Sequence, residues 1–214
     1  MKKKLDRGLK KERFQVAIFG SARIKRGDSR YKSIYNLAKA IAAEGIDIVT
    51  GGGPGLMDAA SRGHHAGRKN KKTYIVGLTI NLPRGQKESY HLDIKKDFHR
   101  FSKRLDNFIN LSDAIVVAPG GVGTMLELMY AWQLVQVKHS CSIPIILYGQ
   151  VWKDFVKWIR KGPLKNEFLS KKDLALLYQT KNCKEAIRLI KMAHEEYKKG
   201  SKNICLNIKK YKVR

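Results

Sequence analysis

The chain has 214 residues, with 44 Lys+Arg against 18 Asp+Glu, a formal net charge of +26. That length fits one domain of ordinary size, and 43% apolar residues suffice for a sizeable core, which excludes a disordered chain. Three scattered cysteines (Cys141, Cys183, Cys205) exclude a disulfide scaffold. No apolar run nears the roughly 18 residues of a membrane span, and the basic start has no apolar stretch behind it, so a cytoplasmic protein without a membrane partner is expected.

In chain order, Phe14–Phe19 reads as a buried strand ending at Gly20. Asp28 or Ser29 starts a helix whose apolar positions Ile34, Leu37, Ala38 and Ile41 follow the 3.6 period, with Gly45 as its stop. Ile46–Val49 is a second strand. Gly51-Gly52-Gly53-Pro54-Gly55 then leads into a short helix through Met57, Ala59 and Ala60. Tyr74–Ile80 is the third strand, followed by a polar stretch over 81–96 and a helix around Phe98–Asn110. Ala114–Ala118 is the fourth strand, and Pro119-Gly120-Gly121-Val122-Gly123-Thr124 turns it into a long helix. Ile143–Leu147, a helix over Trp152–Arg160, a short strand over Leu174–Tyr178 and a last helix over Lys184–Tyr197 complete the pattern. Ile204–Ile208 is either a further strand or tail.

Short β-branched runs alternating with helices make βαβ units, which bury a parallel sheet on both faces. The expected fold is α/β: a Rossmann-like, doubly wound, mostly parallel sheet with helices on both faces. A single domain over 14–198 is flanked by basic tails at 1–13 and 199–214. The charge is spread over both tails and the body and is not interleaved with aromatics. It reads first as a solvated surface and second as a nucleic-acid face of weak electrostatic character.

Both glycine-rich segments follow a strand and open a helix, where open α/β sheets bind anionic ligands on free N–H groups. Neither fits GxGxxG: the third glycine would fall on Asp58 or on Leu126. The Walker motif is absent as well, which leaves a mononucleotide or another small phosphate as ligand. No Cys joins His64, His65, His91 or His99, and HExxH spacing is lacking, so neither a metal nor a cofactor is expected.

The helix MLELMYAWQLVQV is apolar almost all round, so it is expected to be buried and to meet a second subunit. Its one acid, Glu127, has two readings. Thr124-x-x-Glu127 has the spacing of a capping box; alternatively the carboxylate faces the crevice as a base or electrostatic stabiliser. On the preceding helix Arg104 lies about 85° from the centre of the apolar stripe and Lys103 about 175°. Arg104 therefore borders the core and reaches either a cleft, where its guanidinium suits a phosphate or Glu127 itself, or solvent, while Lys103 faces water. Arg100 lies further round on the side of Arg104.

Pro119-Gly120-Gly121-Val122-Gly123-Thr124-Met125-Leu126-Glu127 resembles the PGGxGTxxE signature of the LONELY GUY (LOG) family, long mislabelled "possible lysine decarboxylase". Gly51-Gly52-Gly53-Pro54-Gly55-Leu56-Met57 resembles its GGGxxGLM element, and Gly77–Pro83 resembles a strand and loop of one bacterial branch. The resemblance runs from about Phe14 to Lys191. It implies a homodimeric phosphoribohydrolase that splits AMP-like or cytokinin riboside 5′-monophosphates into base and ribose 5-phosphate. It also implies catalytic roles for Arg104 and Glu127. Substrate contacts are implied from Gly51, Gly52, Gly53, Met57, Asp58, Gly120, Gly121, Gly123 and Thr124. One departure stands out: the family usually has Arg-Lys at the catalytic arginine, whereas Leu105 follows Arg104 here. The decarboxylase label would need a Schiff-base lysine, and neither glycine loop holds one. The remaining alternative is a non-catalytic nucleotide- or nucleic-acid-binding protein of the same fold.

Overall fold

The structure, a computed structural model, describes residues 13–68, 72–83, 89, 91–140, 142–201, 203, 204, 206, 208 and 210–213. The N-terminal tail before Arg13, Cys141, Cys205 and residues 84–88 and 90 of the polar stretch lie outside the described residues.

Seven parallel strands form one sheet in the order β4-β3-β2-β1-β5-β6-β7. They are β1 (Gln15–Phe19), β2 (Asp47–Thr50), β3 (Ile75–Ile80), β4 (Ile94–Phe98), β5 (Ala114–Val117), β6 (Ile145–Tyr148) and β7 (Leu177–Thr180). The helices are α1 (Ser29–Ala43), α2 (Leu56–Gly67), α3 (Phe101–Leu111), α4 (Val122–Gln136), α5 (Trp152–Ile159), α6 (Lys171–Leu174) and α7 (Cys183–Lys198), with a π-helical turn over Arg160–Leu164. Alternate residues of β1 serve opposite faces. Val16 and Ile18 join α1, α2 and α7 in one core, while Ala17 and Phe19 join α3, α4 and α5 in the other. This is the doubly wound architecture expected from the sequence. The strand order reverses between β1 and β5, so the loops after these two strands diverge and open a crevice at the carboxyl edge of the sheet.

Local chemistry fixes these elements. Asp28 caps α1 by accepting from the Arg30 N–H at 2.8 Å, and Gly45, at φ 79°, ends it. A Cβ on Gly63 or Gly67 of α2 would run into the Tyr35 and Lys39 backbone of α1, so two bare positions let these helices touch. Asp113 accepts from the Gln15 N–H at 3.0 Å and Asp47 from the Tyr74 N–H at 2.9 Å, closing the amino edge of the sheet.

The structure corrects four expectations. Strand β4 lies where the sequence shows only a polar stretch. It is an edge strand in which only Phe98 is buried, and its lysines and aspartate hide the alternation while guarding the edge. The helix after it accordingly starts at Phe101 rather than Phe98. The last strand is displaced from Leu174–Tyr178 to Leu177–Thr180, because Ser170 and Asp173 form a capping box that draws Lys171–Leu174 into a helical turn. Helix α4 is not buried all round. Thr124, Leu128, Ala131, Trp132 and Val135 face the core, while Val122, Met125, Leu126, Met129 and Val137 are exposed. In the C-terminal segment Tyr211 and Val213 are buried, and their backbones bond to Gln179 and Leu177 beside β7.

Candidate active site

Arg104 is the side chain around which the crevice is organised. It is 8% exposed, one turn into α3, and its side chain reaches Leu78 of β3 and Gly51 just after β2. Its Nε donates to the Leu78 carbonyl at 2.6 Å, its Nη1 donates to Glu127 Oε1 at 3.3 Å, and the guanidinium lies 4.9 Å from the centre of the Phe108 ring. A side chain on Gly51 would collide with Nη2 of Arg104 and with Met57 Sδ, so Gly51, Met57, Arg104 and Glu127 come together. Lys103 is exposed and Leu105 buried, in keeping with the helical-wheel reading.

Glu127 is not part of a capping box. Helix α4 begins at Val122 with Gly121 as N-cap and no side-chain cap bond, which puts Thr124 in the first turn and Glu127 beyond it. Its partner is Arg104. Burial pushes the Glu127 carboxyl up to about 7, and the Arg104 charge and hydrogen bond pull it down only in part. A carboxyl that titrates near neutrality inside a crevice is suited to trading or stabilising charge.

The two glycine loops differ in what they leave free. At the start of α2 the Leu56 N–H already donates to the Ser21 carbonyl at 2.8 Å, and Asp58 puts a negative charge in the first turn. Gly55 there has φ 69°, and a Cβ would strike the Ser21 and Ala22 backbone, so its role is the close crossing of two loops. At the start of α4, by contrast, the first N–H groups have no helical carbonyl to meet, and no cap side chain covers them. No atom lies within 4 Å of a Cβ built on Gly121 or Gly123, so packing does not require glycine at either position. Bare backbone there leaves room for an anion to approach the N–H groups. Gly120 is held tightly over the Thr124 side chain.

Gly52, at φ 67°, packs against Thr79 and Leu92 on the far side of the first loop, and Gly53 is buried beside it. Asp58 is already engaged. It accepts from Tyr31 Oη at 2.7 Å, Ser89 Oγ at 3.2 Å and Arg26 Nη2 at 3.3 Å. These three donors and the Leu78 carbonyl escaped the sequence reading, as did the contact of Phe108, a residue of the helix's apolar stripe, with Arg104; only that contact had a signal, a spacing of one helical turn. His64 is fully buried, with Nε2 2.8 Å from the Ile46 carbonyl, and burial lowers it to about 4; it is a core histidine. Among the described residues no group of three or more His, Cys, Asp or Glu is arranged to hold a metal ion. No helix among them is long and apolar enough to cross a membrane.

The family model described as "Possible lysine decarboxylase" matches residues 57–190, which takes in Met57, Arg104 and the whole loop before α4. The chain belongs to this family, the LOG family. Among its relatives, the pyrimidine/purine nucleotide 5′-monophosphate nucleosidase of Escherichia coli (strain K12) is 28% identical over 131 residues, 57% of this chain and 28% of that protein. This LOG-family chain therefore spans well under half of that bacterial relative. The cytokinin riboside 5′-monophosphate phosphoribohydrolase LOG7 of Arabidopsis thaliana is 24% identical over 196 residues, 87% of this chain and 86% of that one. The molybdenum cofactor binding protein of Rippkaea orientalis has the same fold, with TM-score 0.60 and 21% identity over 84% of this chain and 96% of its own.

Proposed function

We propose that this LOG-family chain hydrolyses the N-glycosidic bond of AMP-like or cytokinin riboside 5′-monophosphates, giving the free base and ribose 5-phosphate. The observation that carries the reading is the Arg104–Glu127 pair, 3.3 Å apart and nearly buried, beside an uncapped helix terminus with bare glycines. The names of the relatives in Escherichia coli and Arabidopsis thaliana point to the same substrate class.

In this reading the 5′-phosphate sits on the N–H groups of Gly121, Gly123 and Thr124, and the ribose extends toward Glu127. The C1′–N bond breaks with its electron pair leaving on the base, C1′ gains oxocarbenium character, and water adds there. The Glu127 carboxylate stabilises the cationic ribose and orients the water, whose proton balances the base. Arg104 favours the ionised form of Glu127 and holds it in place. Gly51, Gly52, Gly53 and Met57 form the opposite wall. Asp58, already bonded to three donors, shapes that wall through Arg26 and Tyr31.

The exposed apolar side of α4 is where a second copy would dock, and a cytoplasmic homodimer is the expected form. Incubation with a panel of nucleoside 5′-monophosphates, followed by chromatography of released base, tests the reading. Release from at least one member is expected; no release from any would overturn it.

A further inference from the structure

One segment departs from the even spread of charge. Residues 152–173 hold seven Lys and Arg against Asp154, Glu167 and Asp173, and all seven cations are exposed. None of the seven forms a salt bridge among the described residues, while Asp173 is closed into the capping box with Ser170. Two aromatic side chains stand out from this surface: Trp158, 59% exposed near the end of α5, and Phe168, 82% exposed in the turn before α6. Trp158 is fixed from its inner side. Its ring packs on Phe155 with centroids 6.3 Å apart and planes at 35°, and Phe155 meets the buried Trp152 edge-on at 5.6 Å. The Phe168 N–H donates to the Pro163 carbonyl at 2.9 Å, which ties that residue to the π-helical turn continuing α5.

The composition of the surface selects its ligand. A second copy suits α4, whose exposed side is aliphatic, whereas lysine is depleted from protein interfaces. A membrane surface needs an apolar face wider than two rings, and Leu164 and Leu169 between them pack against the core instead. A single strand of nucleotides meets both features at once: each base offers a π-face to a ring, and the phosphates meet the cations. We infer that Trp158 and Phe168, with Lys157, Arg160, Lys161 and Lys165 flanking them in the chain, form a surface for single-stranded nucleic acid. Binding there is by base stacking and backbone charge, without sequence preference. None of these residues belongs to the crevice, so the surface does not depend on the reaction proposed above.

The test titrates a fluorescein-labelled oligothymidylate of about twelve nucleotides with the full chain, followed by anisotropy at about 0.15 M salt. Wild type is expected to hold the single strand more tightly than a duplex of the same length, whose bases are stacked out of reach. The double variant Trp158→Ala/Phe168→Ala removes two mostly exposed side chains and leaves the net charge at +26, so attraction by charge alone would not change. It should lose about tenfold or more in affinity for the single strand, with its thermal unfolding kept as a check on the fold. Lys157→Ala/Lys161→Ala should weaken binding and flatten its dependence on salt by up to about two phosphate contacts. Equal affinity in wild type and the aromatic variant, a duplex held as tightly as the single strand, or no binding by wild type would overturn the inference. So would an aromatic variant that keeps the oligonucleotide but loses attachment to phosphatidylserine vesicles or the pairing of two copies, since the surface would then belong to that partner.

Discussion

At the scale of single residues, the proposed reaction turns on Glu127. Its carboxyl, raised to about 7 by burial, must be ionised to stabilise a cationic ribose. We expect kcat/KM to rise with pH to a plateau above about 7. In Glu127→Gln that step should vanish and kcat should fall by about 10²–10³, the cost of removing one preorganised electrostatic group. A phosphate monoester ionises near pH 6, so the step belongs to Glu127 only if the variant loses it. The same shift has a sign for stability. Between the ordinary value of 4.5 and about 7, the folded protein keeps a proton that the unfolded chain has released. The stabilisation is full below 4.5 and is lost as pH rises to about 7. Thermal unfolding across that range should therefore show wild type losing ground against Glu127→Gln; parallel curves would contradict the shift.

At the scale of elements, the start of α4 offers a test that separates folding from function. Gly123 lies in the first turn with nothing within 4 Å of its missing Cβ. Gly123→Ala should leave the fold intact and stabilise α4 by up to about 1 kcal/mol, yet raise KM because the methyl group crowds the phosphate. An unchanged KM would remove the phosphate from this terminus. Gly51 behaves oppositely, since any side chain there must displace Arg104 and Met57, and both stability and activity should fall. This contrast also marks how far the sequence was legible. Strands such as Ala114–Val117 and the turn into α4 were readable because buried parallel strands are continuous apolar runs and glycine loops punctuate them. Strand β4 was not, because IKKDF buries only Phe98 and a lysine-rich edge looks like a loop. The Arg104–Glu127 contact spans 23 residues, so helical geometry could bring Arg104 to the core border but could not choose between a phosphate and Glu127 as its partner. The choice between a capping box and a site carboxylate for Glu127 turned on where α4 begins, which local spacing does not fix.

At the scale of the whole molecule, two surfaces stand out. The exposed residues Val122, Met125, Leu126 and Met129 of α4, with Val137 at its end, make an apolar stripe that starts at the glycine loop before the helix. If two copies pair through it, Met129→Lys should convert the protein from dimer to monomer by light scattering and lower activity in parallel; a wild-type monomer would contradict the pairing. The +26 charge acts as a field for small anions, so association with nucleotide should weaken as salt rises, while the buried Arg104–Glu127 pair is little screened. The proposed reaction splits a nucleotide at C1′ in this crevice. Its most direct measurement is the product balance from a reactive nucleoside monophosphate, with base, nucleoside, inorganic phosphate and ribose 5-phosphate quantified together for wild type and Glu127→Gln. Wild type should release base and ribose 5-phosphate in equal amounts, and the variant should lose about 10² or more in rate. Nucleoside with inorganic phosphate, or undiminished turnover in folded Glu127→Gln, would contradict it.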